Sequence, residues 1–146
     1  MTQFTLCRIV PAGYPHAAAL DEVADTLRHA IEALGHTVDV RHNTLGSQGV
    51  NLVLAAHLLD EAGAHTFPPE TVVYNLEQID ENSTWLRPGL LTALGRCVVW
   101  DYSEGTPERI LRETTGPLGR MARTSLIEET SALEATIDRV PRTNAL

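Results

Sequence analysis

Polar side chains in this sequence gather where strongly apolar runs end. Gly13, Tyr14 and His16 follow the run Phe4–Val10, His57 follows Val50–Ala56, Asn75, Glu77 and Gln78 close or follow Thr71–Leu76, and Asp101, Tyr102 and Ser103 follow Cys97–Trp100. An imidazole, with an ordinary pKa of about 6.5, suits proton removal from a hydroxyl near neutral pH. His16, at the helix entrance after the first strand, is a candidate general base. Asp101 is the candidate to orient it and stabilise the imidazolium, as a carboxylate does in a catalytic triad. Glu77 offers two oxygens that accept hydrogen bonds from vicinal hydroxyls, or that take a proton. Gly13, Tyr14, His57, Asn75, Gln78, Tyr102 and Ser103 complete the candidate ligand-binding set. Plainer readings stand beside these. His16 at a helix N-terminus is an exposed residue whose charged form is disfavoured there, Glu77 and Gln78 satisfy loop amides, and Trp100, still in strand register, is core.

The elements that must position these groups are legible in the hydrophobic pattern. Phe4 to Val10 reads as a strand ended by Pro11-Ala12-Gly13-Tyr14-Pro15. From His16 onward, Leu20, Val23, Ala24, Leu27, Ile31 and Leu34 mark one helical face, and Gly35 stops it. Val38 and Val40 alternate with polar neighbours in a second, more exposed strand. Val50 to Ala56 is a third strand, apolar enough for burial on both faces. The connection between the second and third strands is short for a helical crossover. A short helix is expected over His57 to Ala64, a fourth strand over Thr71 to Leu76, a helix over Thr84 to Leu94 and a fifth strand over Cys97 to Trp100. The alternation predicts an α/β fold: a Rossmann-like three-layer sandwich with a mostly parallel five-stranded sheet, most simply in the order 3-2-1-4-5.

Residues 1–115 form this domain in the sequence reading, and residues 116–146 supply a C-terminal amphipathic helix and tail. A short helix is expected over Pro107 to Glu113. Ser125 to Val140 carries Leu126, Leu133 and Val140 at sevenfold spacing. That narrow stripe either docks on the domain's own sheet or forms the seam of a homodimer.

Composition removes several classes of function. The 146 residues are 43% hydrophobic and 21% charged, the mixture of one globular domain. All eleven basic residues are arginine. Without a lysine the chain has no Schiff-base amine, Walker-A clamp or Ser-Lys dyad. A net charge of −8 repels nucleic acid and anionic membrane. No run reaches the roughly 18 apolar residues of a membrane span and no signal peptide is recognisable, so a cytoplasmic location is expected. Cys7 and Cys97 lie in apolar runs and read as inert core thiols. His57 and Glu61 at i, i+4, with Asp60 and His65 nearby, lack a second ligand pair at zinc spacing, so no metal is expected. The loop after the first strand holds one glycine where a dinucleotide fingerprint has three, and no cofactor is expected.

The runs Asn51-Leu52-Val53-Leu54-Ala55-Ala56-His57-Leu58-Leu59, Val72-Val73-Tyr74-Asn75-Leu76-Glu77-Gln78 and Val98-Val99-Trp100-Asp101-Tyr102-Ser103 carry a resemblance. Over about residues 4–115 the chain resembles the N-terminal Rossmann-like half of bacterial GT-B-type glycosyltransferase-like proteins. The resemblance implies a half-domain that holds a sugar or small polar acceptor at the carboxyl ends of its strands. It also implies a base at the helix entrance after the first strand, where His16 stands. A second half would hold most of the nucleotide-sugar donor, and the length of this chain leads us to expect transfer only where a partner chain or homodimer completes the cleft. Two alternatives remain at this point: a non-catalytic binding or regulatory module, and an enzyme of another class using His16, Glu77 and Asp101 for acid-base chemistry.

Overall fold

A computed structural model describes residues 1–59, 67–68, 70–77, 84, 87–101 and 121–123. Its strands are β1 (Gln3–Arg8), β2 (Thr37–His42), β3 (Val50–Leu54), β4 (Val72–Asn75), β5 (Val98–Asp101) and β6 (Met121–Arg123). All pair in parallel, in the order β2-β1-β3-β4-β5-β6. Two helices are described, α1 (Asp21–Ala33) and α2 (Pro88–Leu94). The α/β, Rossmann-like fold expected from sequence is thus present. β6 is a sixth strand that the hydrophobic pattern did not indicate, and it lies beyond residue 115. The helices expected over 107–113 and 125–140, and most of the one over 57–64, fall outside the described residues. Among the described residues, no helix is long and apolar enough to cross a membrane.

The strand order corrects the sequence expectation of 3-2-1-4-5. β3 lies on the far side of β1 from β2, giving 2-1-3-4-5 through the first five strands. Burial explains the difference. All five residues of β3 are buried, whereas every residue of β2 is exposed or half-buried and Val40 is 40% exposed. An outer position for β3 would strip cover from one side of the most apolar strand in the chain. The central position shields it on both edges and both faces.

The short β2–β3 connection is consequently a strap rather than a helix. It leaves β2 beside Arg8 and reaches Val50, which pairs with Phe4 at the other end of β1. Asn51 pins it, accepting from Gly46 N at 2.7 Å and donating to Gly46 O at 3.2 Å. A Cβ on Gly46 would overlap Thr5 Oγ1, so the strap runs in van der Waals contact with β1. Leu45 packs onto the core on that face.

Two apolar layers sandwich the sheet. α1 turns Ala24, Leu27 and Ile31 onto the face lined by Phe4, Leu6, Leu52, Leu54 and Tyr74. Burying Leu27 and Ile31 contributes about 1.5–3 kcal/mol each. α2 lays Leu90, Leu91 and Leu94 on the opposite face, against Cys7, Ile9, Val53, Val73 and Val99. Trp100 is core, 3% exposed and edge-on to Tyr74 with ring centroids 6.1 Å apart. Both cysteines are buried and free. Burial pushes the Cys7 thiol up and that of Cys97 to about 11, which makes both poor nucleophiles.

The helix read from His16 begins later, at Asp21, after a 3₁₀ turn over Ala17–Leu20. Arg8 sets this offset. It donates to Ala17 O at 2.8 Å and forms an ion pair with Asp21, tying the end of β1 to the first turn of α1.

Candidate functional site

In a parallel sheet of this order the loops leaving β1 and β3 diverge, because β1 sends its chain one way across the sheet and β3 the other. The two loops that part at that switch point are Pro11–His16 after β1 and Ala55–Leu59 after β3. With β3 inside the sheet rather than at its edge, His57 stands near the centre of the carboxyl edge.

The β1 loop is held from below. Asn43, just past β2, accepts from Val10 N at 2.7 Å and donates to Val10 O at 2.8 Å, so that its amide acts as one more strand residue. Its own backbone is left-handed (φ 53°), which asparagine tolerates better than most residues. Gly13 and Tyr14 form the turn above it, closed by Tyr14 N donating to Pro11 O at 3.1 Å. His16 is exposed, and its ring stands edge-on to Tyr14 at 5.7 Å.

Beyond β3 the chain turns sharply. Ala55 is left-handed (φ 60°, ψ 35°) and starts a 3₁₀ turn over Ala56–Leu58. A non-glycine residue in that region stores on the order of 1–2 kcal/mol of strain, a feature that clusters at binding sites. The turn buries His57, only 9% exposed, with Nε2 at 3.5 Å from Glu77 Oε1.

Glu77 is positioned by Asn75, the last residue of β4. Asn75 Nδ2 donates to Glu77 O at 2.8 Å and to Asp101 Oδ2 at 2.7 Å, while Asn75 Oδ1 accepts from Glu77 N at 3.4 Å. Asp101 is 1% exposed at the end of β5. His57, Glu77, Asn75 and Asp101 thus form one polar chain across the carboxyl ends of β3, β4 and β5.

The expected pairing of His16 with Asp101 does not occur. β3 and β4 lie between β1 and β5, a separation of about 14 Å at the usual strand spacing. Asp101 instead meets Asn75, and the histidine beside a carboxylate is His57. Gln78, Tyr102 and Ser103 lie outside the described residues, as do Asp60, Glu61 and His65. Among the described residues no cluster of His, Cys, Asp and Glu is arranged to hold a metal ion. Sequence reasoning missed Arg8, Asn43 and Ala55 as positioning groups. An asparagine directly after a strand was a usable signal for Asn43; nothing local marked the other two.

Burial pushes the His57 pKa below its ordinary 6.5, and the neighbouring Glu77 carboxylate offsets this in part. His57 is neutral at pH 7, able to accept or donate a hydrogen bond. Below about pH 6.5 the unfolded chain takes up a proton that the native histidine resists, so the stability tied to His57 is present above that pH and lost as pH falls. Urea midpoints should therefore drop more steeply from pH 7 to about pH 5 for the native chain than for His57→Gln. Equal slopes would mean that the folded imidazole protonates as readily as a free one.

The fold and this edge define a doubly wound α/β domain whose carboxyl edge carries a polar chain over the ends of β3, β4 and β5. Comparison with protein-family models, curated proteins and solved structures finds no match.

Proposed function

We propose that this chain is a small-ligand-binding domain that takes a sugar or similar polyhydroxylated molecule between the loops after β1 and β3, as the acceptor half of a glycosyltransferase-like pair. The observation that carries this reading is the juxtaposition of neutral His57 with the Glu77 carboxylate at the carboxyl edge. A hydroxyl set beside both meets a charged acceptor and an imidazole able to take its proton, the two capacities that vicinal diols engage. The part-exposed Glu77 side chain, 37% accessible, keeps the pair within reach of solvent. The resemblance to GT-B-type half-domains supports a sugar over other polar ligands. Transfer follows only where a partner completes the cleft and orients a donor. In this reading His57 takes the role of general base, and Gly13, Tyr14 and His16 of the β1 loop meet the ligand from the other side.

NMR titration of the full chain with methyl glucoside, and separately with UDP-glucose, tests the proposal. Amide shifts are expected at Gly13, Ala55–His57 and Asn75–Glu77 at millimolar ligand. Glu77→Gln should weaken binding about tenfold, the difference between a charge-assisted and a neutral hydrogen bond. Shifts confined to other surfaces, or none at millimolar concentration of either compound, would overturn it.

A further inference from the structure

β2 is an outer strand with a bare edge among the described residues. Thr37 N donates to Thr2 O and Asn43 N to Arg8 O, so the odd-numbered residues of β2 turn their backbone groups toward β1. Successive strand residues alternate, which leaves the N–H and C=O groups of Val38, Val40 and His42 pointing away from the sheet. Such edges are usually blunted by charged side chains, proline, a bulge or short length. β2 has no lysine, proline or bulge, its charged pair Asp39 and Arg41 is of mixed sign and self-paired, and near its centre lies Val40, an exposed large apolar residue.

From this edge we infer that the protein forms a two-fold homodimer by antiparallel pairing of β2 with β2 of a second copy, centred on Val40. Two features select the partner and the register. A second copy offers the same outward groups, and centring on Val40 opposes Val40 to Val40 and Val38 to His42, so that six backbone hydrogen bonds close around the axis. The same register sets Asp39 opposite Arg41 of the other copy on both sides of the axis, at the non-hydrogen-bonded positions where side chains approach most closely. Within one copy these two residues already pair at 2.7 Å while remaining 47% and 40% exposed, so the contact completes an alternating ring of four charges. Moving the register by one step in either direction opposes Asp39 to Asp39 or Arg41 to Arg41. Charge therefore fixes the alignment that the hydrogen bonds permit. The result is a continuous sheet through both copies, with their carboxyl edges facing opposite ways. The candidate ligand sites stay separate, and the dimer stands or falls independently of the proposed function.

Sedimentation equilibrium of the full chain should give a dimer with a dissociation constant on the order of 10 µM, as edge pairing buries less than a standard interface. Val40→Pro removes one outward N–H on each copy while the bonds to β1 remain, and should yield a monomer with unchanged circular dichroism. Asp39→Arg and Arg41→Asp should each be monomeric alone, because each opposes like charges. Mixed in equal amounts they should form a heterodimer, an outcome that misfolding cannot imitate. A native chain that stays monomeric to about 500 µM, well above that constant, would overturn the inference. So would a dimer that survives Val40→Pro, or single-charge variants that fail to associate on mixing.

Discussion

Gly49→Ala is expected to lower the unfolding free energy by about 3 kcal/mol, combining a left-handed backbone penalty of about 1–2 with overpacking of about 1–3. Gly49 ends the strap just before β3, with φ at +75°. A Cβ there would overlap the Gln3 carbonyl, which is backbone of β1 and cannot swing aside as a side chain would. Gly35, after α1, provides the internal control. Its φ is +83°, but an added Cβ would meet nothing within 4 Å. Gly35→Ala should therefore cost only about 1–2 kcal/mol, the conformational part alone. Urea unfolding of both variants checks this, and equal losses would show that the strap does not press on β1.

Asn75→Asp is the second large effect. It exchanges an amide donor for an acceptor at the point where Asn75 Nδ2 meets both Glu77 O and Asp101 Oδ2. The introduced carboxyl faces that of Asp101 in a buried setting, 8% and 1% exposed respectively at the two native positions. Two such groups in contact cannot both ionise at ordinary pH, and one must hold a proton. The cost near pH 7 should be about 3 kcal/mol, from the lost donor and the forced protonation. Because the pair's folded-state pKa is raised above the unfolded value, the variant regains stability relative to the native chain as pH falls toward 5. Asn75→Ala loses the same hydrogen bonds without adding charge, and its deficit should stay nearly flat over that range. Parallel behaviour of the two variants would remove Asp101 from the polar chain.

Much of the fold was legible because its causes are local. Five of the six strands and the buried face of α1 follow from runs and periodicities of apolar residues, and those patterns depend only on near neighbours. β6 was not legible: three residues, Met121–Arg123, give too short a run for alternation to register. The candidate site was legible as an edge but not as a set of partners. His57, Asn75, Glu77 and Asp101 each stood out as polar groups closing apolar strands. Which histidine meets which carboxylate depends on the strand order and on the turn after β3, whereas His16 stood out only by its place at the helix entrance after the first strand.

By itself the sequence determined the class of fold, the edge on which polar groups collect and the burial of both thiols, since each is set by the chemistry of contiguous residues. Tertiary structure alone decided that β3 sits inside β1 and β4, that a seven-residue strap crosses β1 with glycine at its closest approaches, and that His57 rather than His16 stands beside a carboxylate. The reason is that strand order is a global choice. It is made by which arrangement covers the most apolar strand on every side, and no window of the chain contains that comparison.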